Sequence, residues 1–501
     1  MSSSLLIEPS APQGPPTLDT LPLDILYRII SFTSVLDIVR FQQISKHFRE
    51  LMQTGTIWRN AYRTTSLPRY PGPFPHQSAA FLRDTLVRSA KVAQNWAPNV
   101  PVPTSQRTFE GDKDYSRPCF FMNRWLMVID DKHSINCVDL DTASGVVTPP
   151  ISYRSDEGRF IEDHWYLSTM SPEGHTLAFA IVLEMTHTHL GGQVLWVAPI
   201  FILNSNIHNG GRNSKLFKLI SNNGTTPIFE FVQSYSTNWP WDGRGLGVRC
   251  FIGPRLLVIA GGDINRKTLY IDLETFRAYS VSLPPAEIKC SATFISCVKH
   301  LLVIRSPMPQ MVDGHITLDV LAIPPPGTGF PSDALKLSHR GRHPGAFAHT
   351  YLLHDPVANP WLGEPHILLY AVAQMVPGTT FSIDRIKVIL SDDNCSIRCE
   401  TQTITKSDFN YYFPSIFSDN GMGGSSRSIH IHYTSPGPQL RAGVLTLQNN
   451  SDMYEGSQGI RNIPELRQYD RVVGVDRVTG RVVLYTMAPP GHRVIRVLEF
   501  A

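Results

Sequence analysis

The sequence predicts a multidomain α+β chain, with a small helical module at the N-terminus followed by a large all-β domain. Three observations predict it. Apolar residues recur at three- and four-residue spacing over residues 18–62 and again from Ser78 to Trp96, the period of an amphipathic helix. From about residue 115 the pattern changes to short apolar runs separated by Gly, Pro, Asn and Asp turns, the period of strands. Charged residues are only 17% of the chain beside 39 Pro and 35 Gly, which suits many short strands better than long solvated helices. At 501 residues the chain is too long for one ordinary core, so roughly two or three units are expected.

Residues 1–17 are rich in Ser and Pro and read as a loose tail. Within 18–62, Pro22 suits a first helical turn, where its missing N–H costs nothing. Asp24 favours the positive end of that helix, and Ile25, Leu26, Ile29 and Ile30 form its apolar face. Ser34 is placed to cap a second short helix through Asp37, with Ile38, Val39 and Phe41 as apolar contacts. Ser45 is placed to cap a third, carrying Phe48, Leu51 and Met52, and Trp58 adds a large apolar anchor just beyond. So short a segment cannot bury that much apolar surface within itself, and an exposed apolar patch on a small helical module marks a protein partner. Residues 63–114 read as a linker with one helix. Pro68, Pro71, Pro73 and Pro75 bend the chain. Leu82, Leu86, Ala90, Ala93 and Trp96 give the helical period behind a Ser78 N-cap, and Pro98, Pro101 and Pro103 end it.

The all-β domain spans 115–501. Its strand candidates are Trp125–Asp130, Leu177–Leu183, Val194–Leu203, Leu256–Ala260, Leu301–Ile304, His315–Ile323, Ile367–Ala373, Ile386–Leu390, Ser428–Tyr433 and Val472–Val475. A strand–turn–strand unit recurs in them. The second strand runs into Asp139-Leu140-Asp141-Thr142 in one copy and into Asp272-Leu273-Glu274-Thr275 in another. In the third, Asp476-Arg477-Val478-Thr479-Gly480 joins the two strands. The carboxylate can accept from the turn amides while the chain doubles back. One hairpin cannot bury both of its faces, but copies set radially cover one another. The reading is a divergent β-propeller of roughly six to eight blades; a β-sandwich or two smaller β-domains remain as alternatives.

The N-terminal residues carry a family resemblance. Leu21-Pro22, Asp24, Ile25-Leu26, Ile29, Asp37-Ile38, Ile44-Ser45-Lys46, Phe48-Arg49 and Trp58-Arg59 follow one another as in the F-box, the adaptor-docking module of cullin-RING ubiquitin ligases, and the segment resembles that family. Asp24 stands for the commoner Glu, Ile44 for Val and Phe48 for Trp. The resemblance covers about a tenth of the chain by eye. It implies a non-catalytic substrate-recognition subunit of an SCF-type ligase, which docks on a Skp-type adaptor and through it on a cullin. It also implies that Leu21, Pro22, Leu26, Ile29, Leu36, Ile44 and Trp58 contribute to the adaptor contact. The β-domain would then hold an unidentified target protein. An F-box scaffold acting outside a ligase, and a propeller enzyme with a helical extension, are the other readings.

Other partners and cofactors find little support. The net charge is +3 with no Lys/Arg run, which disfavours nucleic acid. Seven scattered cysteines make no disulfide framework, the first residues lack a signal-peptide pattern, and no apolar run reaches a bilayer span. A cytoplasmic or nuclear protein with no membrane contact and no cofactor is expected. His187-Thr188-His189 and His430-Ile431-His432 offer two imidazoles on one strand face but no third metal ligand, and Cys395 and Cys399 lack a second pair. Gly243-Arg244-Gly245-Leu246-Gly247 has neither nucleotide-loop spacing and reads as a turn. Trp239, Trp241, Tyr411, Tyr412 and Phe413 are candidates for a binding surface or for packing between blades. Arg461, Arg467, Arg471, Arg477, Arg481, Arg493 and Arg496 give the C-terminal strands a basic lean. A solvated strand face accounts for it, with a groove for an acidic target as the alternative.

Overall fold

The structure is a computed structural model. It describes residues 18, 21–65, 67, 69–70, 72–96, 101–111, 116–122, 124–130, 133–141, 151–156, 159–170, 176–186, 212–220, 228–236, 249–253, 255–260, 268–281, 290–296, 300–307, 315–323, 337–344, 366–376, 380–390, 395–405, 426–434, 437–448, 451–459, 470–476, 478–487 and 493–501. Among these a helical N-terminal region precedes a β-rich one.

Five helices come first: α1 (Leu23–Ser31), α2 (Val35–Phe41), α3 (Lys46–Met52), α4 (Gly55–Thr64) and α5 (Ala79–Trp96). Pro22 is the cap residue ahead of α1, and its carbonyl accepts from the Leu26 amide at 3.1 Å. Ser34 Oγ accepts from the Asp37 amide and Ser45 Oγ from the Phe48 amide, both at 3.2 Å. Ser78 Oγ accepts from the Phe81 amide at 3.1 Å. Each serine thereby satisfies an amide that has no partner within its own helix. Trp58, expected beyond the third helix, lies inside α4. Its indole Nε1 donates to the Met52 carbonyl at 2.7 Å, which removes the cost of burying that N–H. No helix among the described residues is long and apolar enough to cross a membrane.

Seven antiparallel sheets follow in the described residues. After β1 (Ser105–Gly111), one sheet comprises β2 (Ser116–Phe121), β3 (Trp125–Asp130), β4 (Ser134–Asp139) and β5 (Ile151–Arg154). The next holds β6 (Arg159–Met170), β7 (Thr176–Thr186), β8 (Arg212–Ile220) and β9 (Ile228–Ser236). Then come β10 (Arg249–Ile252), β11 (Leu256–Ala260), β12 (Thr268–Asp272) and β13 (Ala278–Val281). They are followed by β14 (Cys290–Ser296), β15 (His300–Pro307), β16 (His315–Ala322) and β17 (Leu337–Pro344). Two three-stranded sheets comprise β18 (His366–Val376), β19 (Thr380–Leu390) and β20 (Cys395–Thr405), and β21 (Ser426–Thr434), β22 (Gly437–Gln448) and β23 (Ser451–Gly459). The last sheet holds β24 (Asp470–Asp476), β25 (Arg481–Met487) and β26 (Arg493–Glu499), and it takes β1 as its fourth strand. Ser105 pairs with Glu499 and Gly111 with Arg493.

The apolar runs are explained by where these sheets face. Successive side chains of a strand point to opposite faces. Leu126 and Val128 of β3 pack with Val483 and Tyr485 of β25, while Met127 and Ile129 pack with Ala180 and Val182 of β7. Likewise Leu257 and Ile259 of β11 join Phe179 and Ile181 of β7, and Leu256 and Val258 join Leu301 and Val303 of β15. A strand buried on both faces needs an uninterrupted apolar run rather than alternation. The first strands of the sheets neighbour one another in the series β21, β24, β2, β6, β10, β14. Gly474 on β24 makes one such approach possible, since a Cβ there would lie 2.5 Å from Phe120 Cβ on β2.

The recurring turn has the geometry its residues promise. Asp272 Oδ1 accepts from the Glu274 amide at 2.9 Å and the Thr275 amide at 3.1 Å. Asp476 Oδ1 accepts from the Val478 amide at 3.0 Å, and Asp139 Oδ1 from the Asp141 amide at 2.9 Å. Two copies share a further feature that was not anticipated. Arg124 pairs with Asp139 at 2.6 Å and its carbonyl receives the Leu140 amide; Arg255 pairs with Asp272 at 3.5 Å and its carbonyl receives the Leu273 amide.

Two expectations change. The strand β1 lies inside the segment read as linker, because its partner β26 comes from the opposite end of the chain. Arg481 and Arg496 are buried, not on a solvated strand face. Carboxylates compensate them, Glu499 and Asp141 for Arg481 and Asp470 for Arg496. The readings at 187–189, 194–203, 239–247 and 411–413 lie outside the described residues, and of the strands carrying His430, His432, Cys395 and Cys399 only the backbone is described.

Candidate docking surface

The helices α1 to α5 build one core. Leu26 and Ile30 of α1, Val35 and Ile38 of α2, Phe48, Leu51 and Met52 of α3, and Ile57, Trp58 and Tyr62 of α4 pack with Leu82, Leu86 and Ala90 of α5. Polar ties hold α4 against the segment leading to α5. The Arg59 guanidinium donates to the carbonyls of Phe74, Pro75 and Gln77 at 2.9, 3.2 and 3.0 Å. Tyr62 OH donates to the Tyr70 carbonyl at 2.6 Å, and burial pushes its phenol well above the usual tyrosine range.

The apolar face expected for α1 splits in two. Leu26 and Ile30, four residues apart, turn inward. Ile25, Ile29 and Phe32 recur at the i, i+4, i+7 spacing of one helix face and lie on the adjoining side. There Ile25 is exposed, Ile29 half-buried, and Phe32 82% exposed. Leu18, Leu23 and Ile44 (61%) are exposed as well. A helix that needed only to cover its own core would carry one apolar stripe; α1 carries a second that the described residues leave largely uncovered.

Burial sorts the seven residues carried over from the resemblance. Leu26 and Trp58, each 1% exposed, are interior. They can shape a docking surface but cannot touch a partner while the module keeps this packing. Pro22 and Ile44 are exposed, and Leu21, Ile29 and Leu36 are half-buried. Leu18, Leu23, Ile25 and Phe32 join the surface, though the sequence did not single them out as outward-facing. Position 32, seven beyond Ile25, was the available signal. Polar groups border the patch. Ser34 Oγ donates to Asp37 Oδ2 at 2.6 Å and Arg40 pairs with Asp37 at 2.7 Å. These contacts, the Ser34 hydrogen bond first, hold the Asp37 carboxyl below its ordinary range.

Among the described residues of the β-rich region, Tyr153, Asp156, Arg159, Glu184 and Lys215 form a convergent titratable cluster. Tyr153 OH donates to Glu184, and Lys215 Nζ reaches Tyr153 OH at 3.2 Å, Asp156 at 2.7 Å and Glu184 at 3.0 Å. Arg159 adds a contact to Glu184 at 3.4 Å. Burial first and then Glu184 push the Tyr153 phenol up, while the Lys215 hydrogen bond lowers Asp156. These contacts tie Tyr153 of β5 to Glu184 of β7 and Lys215 of β8. Among the described residues no group of three or more His, Cys, Asp or Glu is placed to hold a metal ion.

Comparison with known proteins gives one family match. The model of the F-box-like family matches residues 18–64, which takes in α1 to α4. No curated protein matches the chain. Among solved structures, a sialidase from Trypanosoma rangeli in complex with the inhibitor DANA aligns at 10% identity and TM-score 0.30, over 79% of this chain and 57% of that one. The chain thus spans little more than half the length of that sialidase. A putative 6-phosphogluconolactonase from Bacteroides fragilis aligns at 12% identity and TM-score 0.30, over 77% of this chain and 92% of that one. An apocarotenoid oxygenase mutant from Synechocystis aligns at 7% identity and TM-score 0.32, over 67% and 70%. Likenesses this faint assign neither an activity nor a closed ring. The family match falls on the helices whose second apolar stripe lies open, and the chain carries at its N-terminus an F-box-like domain, as F-box proteins do.

Proposed function

We propose that this chain is the substrate-recognition subunit of a cullin-RING, SCF-type ubiquitin ligase. The F-box-like domain docks on a Skp-type adaptor, and through it on a cullin, by the surface that includes Leu21, Pro22, Ile29, Leu36 and Ile44, extended by Ile25 and Phe32. Leu26 and Trp58 support that surface from inside. The observation that carries the reading is the coincidence of the family match with the open stripe on α1. Covering such a stripe removes apolar area from water, the main favourable term in association.

The β-rich region, 105–501 with its first strand included, is the target-binding part, and we infer that it forms a seven-bladed β-propeller. Seven antiparallel sheets, cores between consecutive sheets, and β1 closing the last sheet from the other end of the chain support this. The chain contributes no bond chemistry. It acts by proximity, raising the local concentration of target lysines near a ubiquitin-loaded enzyme, in the cytoplasm or nucleus, and leads the target to proteasomal degradation.

The test is affinity purification of the full chain beside the double variant Phe32→Asp, Ile44→Asp. A deletion of 18–62 is a poorer test, because it would strip the cover from Leu82, Leu86 and Ala90. Adaptor and cullin both recovered with the native chain, and both lost with the variant, support the proposal. Adaptor without cullin favours a scaffold outside a ligase, and no adaptor with either chain refutes docking altogether.

A further inference from the structure

We propose that α5 is a brace across the seam where β1 meets β26, so that the helical module and the last sheet open as one cooperative unit. This does not rest on the adaptor reading. The pairing of β1 with β26 is the one hydrogen-bonded strand pair among the described strands that joins the start of the β-rich region to its end. The C-terminal turns of α5 meet one end of that pairing, where Val92 and Asn95 reach Gly480, Val102 and Phe500.

The helix has two buried faces. Leu82, Leu86 and Ala90, at i, i+4 and i+8, belong to the helical core. Thr85, Ser89 and Val92, at i, i+4 and i+7, are also buried but small, the composition that lets another backbone come close. At Gly480, in the turn between β24 and β25, φ is +68°, and a Cβ there would lie 2.8 Å from Val92 Cγ2 and 3.1 Å from Phe500 Cβ. The helix, that turn and the residue following β26 therefore meet at a spot with no room for a side chain.

Polar ties reinforce the contact. Asn95 Nδ2 donates to the Phe500 carbonyl at 3.0 Å and the Val102 carbonyl at 2.9 Å, and Asn95 Oδ1 accepts from the Val102 amide at 3.2 Å. One side chain thus joins the end of α5 to both sides of the seam. The Thr104 amide donates to the Glu499 carbonyl at 2.7 Å, and Glu499 gathers Arg107 at 2.7 Å and Arg481 at 2.9 Å. A second tether stands apart from the helix: Tyr70 OH reaches Asp476 Oδ2 at 3.3 Å, the carboxylate that caps the turn holding Gly480. The helical module and the segment behind it thus touch the last sheet through Tyr70, Val92 and Asn95.

Native-state hydrogen exchange on the full chain tests this, with Asn95→Ala and the milder Tyr70→Phe. In Asn95→Ala, protection of α1–α5 and of β1, β25 and β26 should fall together by roughly tenfold, as lost hydrogen bonds of ordinary strength allow. The sheet β10–β13 should keep its protection. Tyr70→Phe should move the same two sets by a smaller common factor, and it decides the matter if the first variant does not fold. Exchange that rises in the helices alone, in the seam alone, or in neither overturns the proposal.

Discussion

Truncating Phe32 to Ala separates docking from folding. The ring is 82% exposed in the free chain, so its loss should change stability by less than about 0.5 kcal/mol, as for other surface positions. A partner that covers α1 would bury most of that ring. Full burial of a Phe side chain contributes about 1.5–3 kcal/mol, so Phe32→Ala should weaken adaptor binding by about 2 kcal/mol, or roughly 25-fold in Kd. Leu26→Ala, on the inward side of the same helix and 1% exposed, should do the reverse first. It removes interior volume at a cost of about 2–5 kcal/mol and lowers the melting temperature before any interface is formed. The assay is calorimetric titration with purified Skp-type adaptor, each variant melted in parallel. A Phe32→Ala chain that melts as the native chain does and binds the adaptor with unchanged Kd would refute the assignment of the docking face to the Ile25–Ile29–Phe32 stripe.

Three further outcomes are expected. Trp58→Phe should destabilise the helical module by about 1–2 kcal/mol in a denaturant melt, because the Met52 carbonyl loses its indole donor, and Trp58→Ala by about 3–5 kcal/mol. Ser34→Ala should cost about 1 kcal/mol as a lost N-cap. It should also bring the Asp37 carboxyl, now held low by Ser34 first and Arg40 second, back towards its ordinary value. That carboxyl's contribution is present above its unfolded pKa and fades as pH falls through the lower folded one, so acid melts followed by carboxyl NMR shifts check it. Burial raises Tyr235 to about 12 and pushes Tyr62 and Tyr270 up also. Stability from these phenols is intact below the unfolded value near 10 and is lost as pH climbs through the folded ones, so alkaline unfolding should coincide with phenolate absorbance.

Local features were legible because their causes are local. Ser34 and Ser45 precede short apolar stretches by the spacing an N-cap requires, and both accept the amides expected of them. Asp139, Asp272 and Asp476 sit where a hairpin turn leaves amides unpaired, and each collects one or more. The runs Trp125–Asp130 and Leu256–Ala260 are strands with the bounds read from the sequence, since turn residues flank them. The strand β1 was illegible for the opposite reason. Ser105–Gly111 is largely polar and makes no apolar run, and its pairing depends on β26, reached only after the whole β-rich region.

The amino-acid order by itself determined that helices precede strands, where several caps and turns fall, and that the N-terminal helices carry more apolar surface than they can cover. Only the tertiary structure decided which of those side chains are covered. Ile25 and Leu26 are neighbours on one apolar helix, and the difference between them arises because the core shared by the helices takes in Leu26 and leaves Ile25 open. The same holds for Arg481 and Arg496, which read as solvated until Asp141, Asp470 and Glu499 are brought beside them. Periodicity is a property of one segment, whereas burial and charge pairing belong to two or more segments that meet only after folding.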